Sequence, residues 1–253
     1  MNYLETEFKD PGVVWRGKPF WSWNGTLEKE ELLRQIDVMK EMGMGGFFMH
    51  SRTGLETEYL GEEWFELINA CADYAESIGL EAWLYDEDRW PSGLAGGIVS
   101  KYPEFRQKAL LLEINPEGAG EQVIAEFTCD LDGIVCKNVE QTVLSAQPSQ
   151  GGQTGMSAPP TLLRFSVVEQ GPSGFYNGYT YIDTMNRDAT DAFLKSTHEK
   201  YAQKCGNRLG KSIKGIFTDE PHRGALLDGF SMNRDDGALC VRYTQKLFAE
   251  FEA

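Results

Sequence analysis

The chain has 253 residues, enough for one large domain or two small ones with a substantial core. Its 24 Lys and Arg against 39 Asp and Glu leave a formal net charge of −15, which argues against nucleic acid and anionic membrane as partners because their phosphates would be repelled. The five cysteines are odd in number and lack C-x-x-C spacing, so buried reduced thiols are expected rather than a zinc site or a disulfide framework.

Met1 to Asp10 is polar and acidic, with neither a basic segment nor an apolar core, and no apolar run approaches the roughly 18 residues of a membrane span. As written, the sequence predicts a cytoplasmic chain, or a secreted one if an upstream signal has been lost. Pro19-Phe20-Trp21-Ser22-Trp23-Asn24 alternates as a strand does and stops at Asn24-Gly25. Thr26 then reads as an N-cap, with Glu28, Glu30 and Glu31 in the electropositive first turn of a helix. Leu32, Leu33, Ile36 and Met39 recur at helical spacing, and Gly43 ends the run.

Gly46-Phe47-Phe48-Met49-His50 is a second strand, followed by a polar loop, residues 51–61, and by a helix that carries Trp64, Leu67, Ile68, Cys71, Ala72, Ala75 and Ile78 and stops at Gly79. Glu81-Ala82-Trp83-Leu84-Tyr85 is a third strand that runs into Asp86-Glu87-Asp88. From about Lys108 to about Gln170 the period changes to two, with strand-like runs separated by Gly, Pro, Ser and Gln, which predicts a β-rich insertion. A fourth strand is predicted at Tyr179-Thr180-Tyr181-Ile182, with one long helix after it carrying Ala189, Ala192, Phe193, Thr197, Tyr201 and Cys205. The fifth strand, Gly215-Ile216-Phe217, stops abruptly at Thr218-Asp219-Glu220-Pro221-His222, and a final helix is predicted through Leu239, Tyr243, Leu247 and Phe251.

Strand followed by helix, five times over, implies a parallel sheet with right-handed crossovers. An eight-fold barrel is favoured over a doubly wound sheet because no strand leads into a phosphate-cradling glycine fingerprint. Each strand also ends in a polar or ionisable residue, as a site assembled from all the βα loops requires. The expected organisation is three barrel units in residues 1–107, the β-rich insertion in 108–178, and the fourth and fifth units in 179–253. A (β/α)8 TIM-barrel-type domain would then be truncated after five units, with three more expected beyond Ala253.

The strand ends gather Asn24, His50 with Arg52, Asp86 to Asp88, Asp183 with Asn186, and Asp219 with Glu220 and His222, beside Trp21, Trp23, Tyr59 and Trp90. Carboxylates, a few donors and flat aromatic faces are what a carbohydrate site needs: acid and base for the glycosidic bond, hydrogen bonds for hydroxyls, apolar faces for pyranose C–H patches. Asp86, Glu87 and Asp88 together could also hold a hard cation through oxygen ligands. Proline after Glu220 biases that residue towards an extended backbone, projecting its side chain off the strand end.

Five blocks resemble glycoside hydrolase family 106 in order and spacing: Pro19 to Gly25; Gly45 to His50; Tyr85-Asp86-Glu87 with Trp90-Pro91-Ser92-Gly93 and Ala95-Gly96-Gly97; Tyr181-Ile182-Asp183; and Phe217 to Pro221. The resemblance implies a (β/α)8 catalytic domain with appended β-domains that hydrolyses α-L-rhamnosidic bonds with inversion and calcium assistance, and makes Glu220 the catalytic acid. Trp23, Asn24, His50, Arg52, Trp90, Asp183 and Asp219 would then contact the sugar, and Asp86, Glu87 and Asp88 the calcium ion. Like charges and partial burial should raise the pKa of Glu220 and leave Asp219 ionised. The inverting base is expected on a later strand, so a non-catalytic carbohydrate-binding protein and a barrel glycosidase of another sugar specificity stand as alternatives.

Overall fold

The computed structural model describes residues 3–133, 135–142, 160–169, 171–221, 239–245 and 247. After a short helix α1 (Tyr3–Lys9), β1 (Phe20–Gly25), α2 (Lys29–Glu41), β2 (Gly46–Leu55), α3 (Glu62–Ser77) and β3 (Glu81–Tyr85) follow in turn. Then come β4 (Lys108–Ile114), β5 (Val123–Asp132), β6 (Val135–Thr142) and β7 (Thr161–Glu169), the helices α4 (Arg187–Ser196) and α5 (His198–Cys205), and the strands β8 (Ile213–Phe217) and β9 (Leu239–Tyr243). The chain is mixed α/β: a four-stranded parallel sheet in the order β1-β2-β3-β8, and a separate five-stranded antiparallel sheet in the order β6-β5-β7-β4-β9. No described helix is long and apolar enough to cross a membrane.

Alternation along the parallel strands sorts their side chains onto two faces. Trp21, Trp23, Phe47, Met49, Ala82, Leu84 and Ile213 form one core with Leu32, Ile36 and Met39 of α2, Trp64, Ile68 and Cys71 of α3, and Tyr201 and Cys205 of α5. Burying one indole such as Trp23 or Trp64 removes roughly 200 Å² from water, an upper bound of about 5 kcal/mol at ~25 cal/mol per Å². The other face is a ring-to-ring cluster of Phe20, Phe48, His50, Tyr85 and Phe217, with Trp83 against Phe48. A doubly wound sheet reverses its strand order and carries helices on both faces; here the order of the described strands is sequential, and α2, α3 and α5 share one face.

Several sequence expectations are corrected. Residues 179–182 do not enter the parallel sheet: Ile182 bridges antiparallel to Arg106, the Gln107 N–H donates to the Tyr181 carbonyl, and the Asp183 N–H donates to the Phe105 carbonyl. The place beside β3 goes to β8, where a bulge turns both Ile213 and Ile216 towards the helix-side core. The predicted long helix is two, broken at Thr197, whose hydroxyl donates to the Phe193 carbonyl at 2.8 Å and whose backbone is distorted to φ −116° and ψ −76°. Leu239 to Tyr243, read as helix from a four-residue step, is the strand β9, antiparallel to β4. Thr26 is no cap; its hydroxyl donates to Glu56 at 2.5 Å and α2 starts after Glu28.

The Trp83 ring lies over Gly215, where a Cβ would sit 2.5 Å from its Cζ3. Gly215→Ala is therefore expected to destabilise the fold by about 1–3 kcal/mol, as overpacking does. Urea unfolding checks this, and an unchanged midpoint would contradict the packing.

Candidate functional site

The carboxyl ends of β3 and β8 lie beside the middle of β2 because the register is parallel: Phe48 pairs with Trp83, and Tyr85 with Phe217. The strand expected to stop at His50 runs on to Leu55; within it, just past the last pairing of β2 with β3, His50 is buried, stacked on Tyr85 at 3.7 Å with the planes 12° apart, and its Nδ1 lies 2.7 Å from the Ser51 carbonyl. That contact puts the proton on Nδ1 and leaves Nε2 as the acceptor. Burial, with help from the nearby Arg52 charge and against the Ser51 carbonyl, lowers the His50 pKa to about 4. The unfolded chain then binds this proton more readily than the native one. Stability from His50 is thus complete above about pH 6.5 and lost as pH falls towards 4, by about 3 kcal/mol. Unfolding free energies of wild type and His50→Phe across that window should diverge by this amount; parallel pH profiles would refute it.

At the end of β3 the three carboxylates fan out to different partners. Asp86 is 0% exposed; it accepts from the Ser92 hydroxyl at 2.5 Å and the Thr218 hydroxyl at 2.7 Å, with His198 Nε2 at 3.4 Å. Its pKa is raised by burial, against the pull of the two hydroxyls. Glu87, 1% exposed, accepts from the backbone N–H groups of Asp88 (2.9 Å), Gly93 (3.0 Å), Ala95 (2.8 Å) and Gly96 (2.5 Å). Burial pushes its pKa up to about 7 while those four donors pull it down. Asp88 accepts from the Ser51 hydroxyl at 2.5 Å and from Asn177 Nδ2 at 2.6 Å.

This donor set does not fit the cation expected at Asp86, Glu87 and Asp88. A hard cation needs converging lone pairs, whereas these oxygens face N–H and O–H hydrogens that would point at the ion. Among the described residues, no group of three or more His, Cys, Asp or Glu could hold a metal.

At the end of β8, Asp219 is half-buried and Glu220 exposed. The Asp219 carboxyl is raised, first by burial and then by the Glu220 charge, while Arg52 and a hydrogen bond from Trp90 lower it. Asp219 is the more enclosed of the two carboxyls, and burial is the first cause of its raised pKa. Glu220 has a φ of 38°, a left-handed conformation rather than the extended one expected before proline, and for a non-glycine residue it costs on the order of 1–3 kcal/mol.

The structure brings His50, Arg52, Trp90, Asp219 and Glu220 to one region. Trp23 is not there: it is 1% exposed and packs on Trp21 and Trp64 in the helix-side core, because alternation turns it away from Asn24. Asn24 is exposed at the end of β1, lining a cleft of about 340 Å³ with Thr26, Glu28 and Glu31. Asp183 is buried in the turn before α4, where its carboxylate accepts from the Met185 N–H at 3.0 Å. His222 lies outside the described residues. Sequence reasoning missed Ser92, Thr218 and His198; the signal available was a small hydroxyl residue inside each of the blocks Trp90-Pro91-Ser92-Gly93 and Phe217-Thr218-Asp219.

Fold and site together define an α/β chain with carboxylates, one arginine and aromatic faces gathered at the carboxyl ends of parallel strands. No family model matches the chain, and no curated protein matches it. Among solved structures, a rhamnosidase from Novosphingobium sp. PP1Y is similar to 47% of this chain at 25% identity, with a TM-score of 0.37. The match covers 12% of that protein's chain.

Proposed function

We propose that this chain carries the acid-bearing part of a glycoside hydrolase site for α-L-rhamnosidic bonds, on an arc of a (β/α)8 barrel, as the resemblance to glycoside hydrolase family 106 implies. The observation that carries the reading is the Asp219–Glu220 pair at the end of β8, with the Trp90 side chain hydrogen-bonded to Asp219, Arg52 beside it, and the His50–Tyr85 stack on the neighbouring strands. Glu220, exposed, meets the glycosidic oxygen as general acid. Asp219, Arg52 and His50 Nε2 hydrogen-bond sugar hydroxyls, and Trp90 offers a flat face to the ring.

A second reading has its own support. Inversion needs a second carboxylate roughly 6.5–9.5 Å from the first, and Asp86, Glu87 and Asp88 are already bonded to backbone and side-chain donors. That favours a carbohydrate-binding protein without turnover. Incubation with phenyl α-L-rhamnoside separates the two. Release of phenol from the unactivated phenyl rhamnoside that falls sharply in Glu220→Gln supports the hydrolase, and saturable rhamnoside binding without release supports the binding protein. Neither release nor binding would remove both.

A further inference from the structure

The geometry points to Ser92, held by the buried carboxylate of Asp86, as the positioning residue that sets the backbone of the Asp219–Glu220 pair. The inference rests on the reading of that pair as the acid end of the site. Ser92 holds the Asp219 main chain at both of its polar groups: its N–H donates to the Asp219 carbonyl at 2.9 Å, and its Oγ accepts from the Asp219 N–H at 2.9 Å. The same Oγ donates to Asp86 Oδ1 at 2.5 Å, so its proton is committed and its lone pair is turned to Asp219. Oδ2 of Asp86 takes the Thr218 hydroxyl at 2.7 Å, which fastens the residue before Asp219 to the same carboxylate. The Ser92 carbonyl in turn accepts from the Tyr181 hydroxyl at 2.7 Å.

Asp86 and Ser92 are 0% and 1% exposed, so neither is open to a ligand; both act through Asp219. Directly after this clamp comes Glu220 with its φ of 38°. A left-handed non-glycine residue persists only where its surroundings over-determine it, and the doubly held Asp219 main chain is what does so. Without the Ser92 hydroxyl the Asp219 main chain is held only at its carbonyl, and Glu220 relaxes to a negative φ, which turns its carboxylate relative to Asp219. The direction of the acid therefore depends on one hydroxyl distant in sequence.

Proton NMR of the 253-residue chain tests this. Wild type should show a strong amide-to-Hα NOE within Glu220, the mark of a positive φ, and slow exchange of the Asp219 amide. In Ser92→Ala the NOE should fall to the level of extended residues and Asp219 exchange should rise about tenfold, the worth of one hydrogen bond, while the Leu84 and Ile36 amides keep their rates. Thr218→Val cuts only the second arm to Asp86 and should weaken the same NOE, which keeps the clamp testable should Ser92→Ala not fold. Ser196→Ala, which removes a hydroxyl bonded to the Ala192 carbonyl, should change neither signal. An unaltered Glu220 NOE with unaltered Asp219 exchange in folded Ser92→Ala, or in Thr218→Val, would overturn the proposal. Neither readout involves sugar or turnover, so the clamp and the functional reading can fail independently.

Discussion

Glu87→Ala is expected to destabilise the protein by about 3–5 kcal/mol, the largest stability effect of any single side chain at the strand ends. The carboxylate satisfies four backbone N–H groups at once, and three of these belong to the loop Gly93 to Gly96. That loop is a conformation the chain would not choose unaided. Ala95 has a φ of 51°, and Gly97, with a φ of 101°, leaves no room for a Cβ, which would sit 2.3 Å from the Tyr179 ring. Leaving four donors without an acceptor, two of them fully buried and two partly, costs their desolvation, and the strained loop loses its anchor. Glu87→Gln should be intermediate, because it keeps one oxygen but turns an NH₂ towards N–H donors. Equilibrium unfolding followed by circular dichroism measures both, and a loss below about 1 kcal/mol for Glu87→Ala would mean that the loop holds itself.

Glu220→Gln is expected to give the largest effect on activity. If Glu220 protonates the leaving oxygen, its removal lowers turnover of substrates with poor leaving groups by about two to four orders of magnitude, the usual worth of general acid catalysis. A dinitrophenyl glycoside, whose leaving group needs little protonation, should lose much less, and binding of either substrate should change little. Equal losses on both would assign Glu220 another role. If the acid is instead Asp219, the more enclosed carboxyl with the raised pKa, then Asp219→Asn and not Glu220→Gln will show this difference between leaving groups.

Much of the parallel layer was legible in the sequence. The alternation of Phe20 to Asn24, the helical spacing from Leu32 to Met39 and the stops at Gly43 and Gly79 are local signals, and the local structure follows them. What the periodicity could not carry was order. Tyr179 to Ile182 and Ile213 to Phe217 are both short apolar runs, and which of them lies beside β3 is decided by tertiary packing. Leu239 and Tyr243 stand four apart, a spacing that fits a helix until Cys240 is seen opposite Leu111 on β4. β6 was missed because Val135 to Glu140 faces solvent on its hairpin and shows no apolar face to read.

The position of the acidic cluster was legible too, since any parallel strand that stops at carboxylates places them at its carboxyl end. Their directions were not. Whether Asp86, Glu87 and Asp88 converge on an ion or turn back to Ser92, to the Gly93–Gly96 loop and to Asn177 depends on residues far along the chain. Trp23 illustrates the same limit, because an aromatic at a strand end belongs to either face until the helices are placed.

The central claim, that the ends of β3 and β8 and the middle of β2 form a carbohydrate site, is tested most directly by titrating the chain with methyl α-L-rhamnoside while following the Trp90 indole N–H by NMR. The account predicts a saturable shift at Trp90, together with shifts at Arg52 and Asp219, and their loss in Trp90→Ala. A Trp90 signal that stays in place while ligand is added, or shifts confined to residues outside this site, would contradict it.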